Sequence, residues 1–340
     1  MVVVKSVFQM FFFLFSFLVL AQPYQRQDEF SKSQCSTVFE GTKTHDQLMS
    51  LLKGGEKTAQ YAFDRSQEIR HPLLEKIIRE DTVSMSFLAN HRVYLSLTTS
   101  PTRIKYIEQV LGHLDLTHIK KVFVSIPWKF GRDGREYKIP LFVHNHPKIQ
   151  ILRMEKDLGP ISKMLVAAEY LKKNDPDSYL ISLDDDTDYP STLPNEMISN
   201  MARHPNSVLS PSIHAVSSWN ISSNLWEFEN EPHGGQVVEG WASIGYPVNL
   251  LDTQKLRKFS QLSRFTYLSD DLVISFVLAL DRIHKRKIDS PYLHPWGIYQ
   301  HGFGFEEDAL HRGGGGHEGY EGDFNMIKYE KALLEMNQTK

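Results

Sequence analysis

The sequence predicts an α/β chain: a mixed, mostly parallel sheet flanked by helices, preceded by an N-terminal helical stem. Three observations carry that expectation. Between residues 93 and 210, short apolar runs of strand length alternate with segments whose apolar residues recur at helical spacing. Such alternation implies crossover connections, and so parallel strands covered on both faces. The composition, 41% hydrophobic and 23% charged over 340 residues, suits one large α/β domain with appendages or two small domains. Lastly, an apolar run from Tyr179 to Leu183 leads straight into Asp184, Asp185 and Asp186. That puts polar chemistry at the C-terminal end of a strand, where open α/β sheets bind ligands.

The first 22 residues stand apart. Lys5 gives a weakly positive start, Met10 to Ala21 is almost wholly apolar, and a polar stretch follows from Gln22. The run is short for a spanning helix, which needs about 20 residues. It reads as a signal peptide, with a short signal anchor over residues 2–21 as the alternative. Both put the body of the chain in the secretory pathway or another extracytoplasmic compartment: secreted, in the Golgi or ER lumen, or in a periplasm. The single cysteine, Cys35, excludes an internal disulfide and a cysteine-type zinc site. A net charge of −3 gives no basic excess to attract nucleic acid. Asn220-Ile-Ser222 and Asn337-Gln-Thr339 are glycan-acceptor sequons.

Residues 23–90 read as a linker and helical stem, with Leu48, Leu51, Leu52, Leu73, Leu74, Ile77 and Ile78 at helical spacing. Strands are expected at Val93–Thr98, Lys121–Ile126, Ile149–Met154, Tyr179–Leu183 and Val208–Ser210. Helices are expected from Pro101 to about Leu111, capped by Thr99 or Ser100, from Ile161 to Lys172, and from Pro190 to Arg203. Three polar strand ends then meet on one edge: Thr98-Thr99-Ser100, Glu155-Lys156-Asp157 and Asp184–Asp186. Three adjacent carboxylates repel one another and persist only where a cation or many donors hold them. Hard ions such as Mg²⁺ and Mn²⁺ take oxygen ligands and share them with substrate phosphates. The triplet therefore reads as a metal-diphosphate site, with a solvated acidic turn as the bland alternative.

The second half differs in texture. Residues 213–247 carry Trp219, Trp226 and Trp241 among polar residues, which suits either a carbohydrate surface or a loop-rich core. Tyr246–Leu251 reads as a buried segment. Asp270 is a good N-cap and Asp271 suits the positive end of a nearly all-apolar helix to Leu280. Gly313–Gly316, flanked by His311, Arg312 and His317, reads as a lid over an anionic ligand or as a plain loop. Asp323 to Met336 is expected to form a last helix.

Four segments in order resemble the GT-A (Rossmann-like) glycosyltransferases, nearest to exostosin-type and related groups with an Asp-Asp-Asp metal motif. They are Leu95-Ser-Leu-Thr-Thr-Ser-Pro-Thr-Arg103, Asp157-Leu-Gly-Pro-Ile-Ser-Lys163, Leu183-Asp-Asp-Asp186, and Gly240-Trp-Ala-Ser-Ile-Gly-Tyr-Pro247 followed by Ser269-Asp-Asp271. The resemblance covers about residues 90–285. It implies a catalytic domain over 91–336, with a donor half (91–212) and an acceptor half (213–336). It further implies a nucleotide-diphospho-sugar donor, a divalent ion (Mn²⁺ or Mg²⁺) and a hydroxyl acceptor on a glycan, glycoprotein or glycolipid. Thr98 and Arg103 would lie against the base and diphosphate. Asp157 would hold the base or ribose, and Lys163 would sit near the nucleotide or diphosphate. Asp186 would be the direct metal ligand, with Asp184 facing metal, ribose and sugar, and Asp185 in support. Gly240–Tyr246 would shape the sugar pocket. Asp270 or Asp271 would stand at the reacting sugar, as acceptor-binding carboxylate or general base. His301, His311, Arg312 and His317 are candidates to complete the diphosphate site.

Two other functions remain open. A sugar nucleotidyltransferase normally needs a Gly-rich phosphate loop after the first strand, and here that turn is Thr98-Thr-Ser-Pro-Thr102. A non-catalytic carbohydrate-binding protein on a degenerate transferase fold is the third reading.

Overall fold

The sheet is built outward from β1 (Val93–Leu97), which pairs in parallel with β2 (Ile119–Pro127) on one side and β4 (Tyr179–Ser182) on the other. β2 pairs in parallel with β3 (Ile149–Met154). This computed structural model describes residues 84–112, 114–187, 189, 191–215, 235–288 and 324–339, all within one unit, Ser84–Lys340. Residues 2–21, Cys35, the stem before residue 84, Trp219, Trp226, Asn220, His301, His311, Arg312, Gly313–Gly316 and His317 lie outside the described residues.

Beyond β4 the sheet changes direction. β8 (Ile244–Pro247) runs antiparallel to β4 and to β5 (Ser207–Ser210), and β9 (His284–Lys287) pairs in parallel with β5. The seven strands stand in the order β3-β2-β1-β4-β8-β5-β9, a mixed, mostly parallel sheet. A small hairpin, β6 (Ile213–Ala215) with β7 (Gln236–Val238), lies apart from it.

Alternation along the strands sets two cores. In β1, Val93, Leu95 and Leu97 enter one apolar cluster and Tyr94 the other. In β4, Tyr179 and Ile181 enter the first cluster and Leu180 the second. Period-2 side-chain direction requires this division. Helices α2 (Ile107–Gly112) and α5 (Leu193–Arg203) fill the first face through Ile107, Val110, Leu193 and Met197. The second face is covered by α4 (Ser162–Asn174), α6 (Thr253–Ser260), α8 (Asp270–Leu280) and α9 (Phe324–Gln338). Fully buried Leu and Ile side chains such as Leu95, Leu165, Leu180 and Ile274 each contribute roughly 1.5–3 kcal/mol. Residues 84–90 form α1, and the short helices α3 (Leu141–Asn145) and α7 (Arg264–Tyr267) complete the set among the described residues. No helix among those residues is long and apolar enough to cross a membrane.

Two caps differ from expectation. The helix expected from Pro101 starts later. Residues 101–103 form a turn in which the Ser100 carbonyl accepts the N–H groups of Arg103 (3.1 Å) and Ile104 (2.9 Å). A 3₁₀ turn, Ile104–Tyr106, then leads into α2. Ser269, not Asp270, is the N-cap of α8. Asp270 sits inside the first turn, where its side chain turns to Lys163 instead of capping its own helix.

Candidate active site

The chain order reverses at β1. β1 leads to β2 on one side, and β3 returns across it to β4 on the other. That switch point opens a crevice between the C-terminal ends of β1 and β4, the standard ligand position in such sheets. A cavity of about 310 Å³ lies there. Its lining includes Thr98–Ser100 and Arg103 after β1, Asp184–Asp186 after β4, and Asp270 and Asp271 at the start of α8. Two of the three expected strand ends thus converge fully. Of the third, Asp157 lines the cavity, while Glu155 and Lys156 are exposed outside it.

The acidic triplet is held by cations. Arg103 forks across two carboxylates, reaching Asp186 Oδ2 at 2.7 Å and Asp185 Oδ1 at 2.8 Å. Lys163 Nζ reaches Asp184 Oδ1 at 2.6 Å and Asp270 Oδ2 at 2.9 Å, joining the triplet to α8. Burial works against the Lys163 ammonium, but Asp184, Asp270 and Asp271 outweigh it and hold the group protonated well above its usual range. Burial pushes the Asp185 carboxyl up to about 7, with Arg103 opposing. Ser96 Oγ donates to the Lys163 carbonyl, so β1 itself anchors the first turn of α4 beneath this cluster.

Asp157 is used differently. Its Oδ2 accepts the N–H of Gly131 (2.7 Å) and its Oδ1 that of Gly159 (2.8 Å). It therefore staples the Phe130–Tyr137 loop to the end of β3. Gly159 has φ +78°, and a Cβ there would stand 2.7 Å from the Tyr267 carbonyl oxygen, so only glycine fits this turn. The Phe130–Tyr137 loop is a wall that the sequence pattern does not flag. Phe130 and Tyr137 pack edge to face at 6.3 Å, the Arg132 guanidinium lies 5.3 Å from the Phe130 ring centre, and all three line the cavity. Tyr137 Oη donates to the Thr99 carbonyl (3.0 Å), and Thr98 Oγ1 to that of Ser125 (2.7 Å), fixing the β1 turn on both sides.

The opposite wall is the 3₁₀ turn Gly240–Ala242 with α8. Gly240 N–H donates to Asp271 Oδ1 at 2.9 Å. A Cβ on Gly240 would stand 2.3 Å from Lys163 Nζ, so the bare backbone is what lets the lysine pass between the two acidic groups. Burial and the adjacent Asp270 raise the Asp271 carboxyl well above the ordinary range, with Lys163 opposing. Trp241 lines the cavity, and its Nε1 donates to Glu239 Oε2 (2.9 Å). Lys328 and Tyr329 of α9 also line it. Sequence reasoning missed these two, as it missed Arg132, Phe130, Tyr137 and Tyr267. A lysine-tyrosine pair in a C-terminal helix carries no local signal of where that helix docks.

Among the described residues no group of three or more His, Cys, Asp or Glu side chains is arranged to hold a metal ion. The acidic loop nevertheless suits a hard divalent ion that takes few protein ligands, as Mg²⁺ does when it keeps waters and substrate phosphates. Asp184 and Asp186 face the cavity with side chains 25% and 13% exposed. Asp185 Oδ2 is buried with no hydrogen-bond partner. The lining carries Arg103, Arg132, Lys163 and Lys328 against Asp157, Asp184, Asp185, Asp186, Asp270 and Asp271, an excess of two formal negative charges that one divalent ion would balance.

No protein-family model and no curated protein matches the sequence. Among solved structures the chain is similar to the mannosyltransferase PcManGT from Pyrobaculum calidifontis in complex with GDP-Man and Mn²⁺, at 12% identity, over 86% of this chain and 84% of that one, with a TM-score of 0.36. A likeness at that level carries no argument for fold or function.

Proposed function

We propose that the cavity binds a nucleotide-diphospho-sugar with a divalent ion, Mn²⁺ or Mg²⁺, and passes the sugar to a hydroxyl of a carbohydrate or glycoconjugate acceptor. The observation that carries this reading is the convergence of Asp184–Asp186, Arg103, Lys163 and the Asp270-Asp271 pair around one cavity at the switch point of the sheet. In such a reaction the acceptor oxygen bonds to the anomeric carbon, the bond from that carbon to the diphosphate breaks, and the nucleoside diphosphate leaves. A divalent ion held by Asp186 and Asp184 would neutralise the charge that develops on the diphosphate.

The chain's own residues have separable tasks. Arg103 and Lys163 orient the carboxylates and lower their mutual repulsion. Arg132 and Lys328 offer donors to the nucleotide diphosphate. Asp157, which accepts two backbone amides and lines the cavity, shapes the nucleotide end through the loop it holds and keeps acceptor capacity for the base or ribose. Asp271 faces the cavity from the acceptor side, and its raised proton affinity suits a group that takes the acceptor hydroxyl proton. If configuration is retained, the same carboxylate stabilises an oxocarbenium-like centre. The apolar segment 2–21 supports an extracytoplasmic working site, anchored or released.

The test is calorimetric titration of the full chain with a panel of nucleoside diphosphates in Mn²⁺ and then in EDTA. One nucleotide should bind in the metal alone. Asp186→Asn should weaken that binding by about tenfold or more, since a metal ligand is lost, with circular dichroism unchanged. Absence of nucleotide binding by the folded wild-type chain sinks the transferase reading in favour of a carbohydrate-binding protein.

A further inference from the structure

Tyr189 follows the acidic loop and is only 1% exposed, packed in the cluster that also holds Leu193 and Met197. It is absent from the cavity lining. Its hydroxyl nonetheless joins the backbones of both cavity walls. It accepts the N–H of Asp184 at 2.8 Å and donates to the carbonyl of Trp241 at 3.0 Å. Asp184 begins the acidic loop. Trp241 stands in the turn whose neighbouring Gly240 N–H meets Asp271.

The position of this bridge in the sheet explains its need. The antiparallel pairing of β4 with β8 ends at Ser182 opposite Ile244. Ser243, the next residue outward on the β8 side, has φ +77° and ψ 144°, a conformation that side-chain-bearing residues rarely adopt, and it turns the chain out of the ladder. Past that point Asp184 and Trp241 have no strand rung between them. A phenol can donate and accept at once, so the Tyr189 hydroxyl spans the gap as a side-chain rung.

We propose that Tyr189 is a positioning residue. Its hydroxyl fixes the spacing between the acidic loop and the Gly240–Ala242 turn, and so holds Asp184 and Asp271 in register across the cavity. The catalytic consequence rests on the transferase reading above; the structural one does not.

Tyr189→Phe keeps the buried ring and removes only the oxygen. Amide hydrogen exchange at Asp184, followed by NMR, should speed up by about tenfold, the size of one lost hydrogen bond. The Kd for the nucleoside diphosphate in Mn²⁺ and the donor KM should stay within about twofold, while kcat falls by about tenfold or more because the reacting groups lose their alignment. A role in packing alone would leave kcat of the folded protein unchanged, and that result overturns the proposal. So does unchanged exchange at Asp184. If the wild-type chain transfers no sugar from any nucleotide sugar, the reading of the cavity fails and the exchange measurement alone decides the pin.

Discussion

Of the three lysines buried among the described residues, two stand far apart along the sheet, and burial has opposite outcomes for them. Lys163, at the cavity between β1 and β4, is 4% exposed; Lys285, on the edge strand β9, is 1% exposed. Desolvation opposes both ammonium groups. Around Lys163 three aspartates reverse that effect and hold the proton more firmly than in water. Lys285 donates to the Gln236 carbonyl at 2.6 Å and lies 3.3 Å from that of Ser275, neutral acceptors that do not offset the loss of water, and its pKa falls to about 7. The lesson is that the cavity is where this fold concentrates compensating charge. Lys285 in the same core is a liability, while Lys163 is the tie between the acidic loop and the first turn of α8.

The largest effect should come from removing that tie. Lys163→Met leaves Asp184 and Asp270 facing each other without a cation. It should cost about 3 kcal/mol in urea unfolding, near the lower end for stripping one partner from a buried pair, because the Asp184 side chain is 25% exposed. An unchanged unfolding midpoint and slope would mean that the acidic loop and α8 are held independently.

Asp271→Asn sharpens the contrast from the other side, since Asp271 contributes to the field around Lys163. Turnover should fall by about a hundredfold or more, with nucleotide affinity within about twofold. In the wild type, kcat/KM should climb with pH through a value well above the ordinary carboxylate range as Asp271 loses its proton, and this limb should vanish in the variant. Loss of donor affinity alone would remove Asp271 from the reacting centre.

The smallest effect, of opposite sign, belongs to Lys285→Met. Between about pH 7 and the ordinary lysine value of 10.5 the unfolded chain holds a proton that the folded Lys285 lacks, so wild-type stability gains from this group as pH rises through that window. Below about pH 7 its burial penalty is fully present. The methionine variant should be more stable than wild type at pH 7 by about 1–2 kcal/mol, once the lost hydrogen bonds are set against the removed desolvation cost. Its advantage should shrink towards pH 10, and parallel stability-pH curves would show that Lys285 keeps its charge in the fold.

The same contrast governs what was legible in the sequence. β1 to β4 were readable because an apolar run followed by a polar end marks a buried parallel strand. Asp184–Asp186 stood out because three carboxylates in a row need an explanation. Their partner, Arg103, lies more than 80 residues earlier, and nothing in its neighbourhood announces that its guanidinium crosses to them. β9 was invisible: His284-Lys-Arg-Lys287 has no apolar residue, and only the pairing with β5 makes it a strand. Asp157 was placed at the base or ribose by the family resemblance alone, and nothing local signals that its two oxygens also accept the amides of Gly131 and Gly159. That use of its oxygens is a three-dimensional fact. So is the missing Cβ of Gly240, on which the route of Lys163 depends.

β9 has one more consequence. Among the described residues it ends the sheet, with Lys285 turned inward and His284, Arg286 and Lys287 exposed. An unpaired strand edge is a template on which a second molecule can extend the sheet. Here a second copy approaching edge to edge would set its basic strand against an identical one. The like charges, least screened at low salt, oppose that contact along the edge that the described residues form.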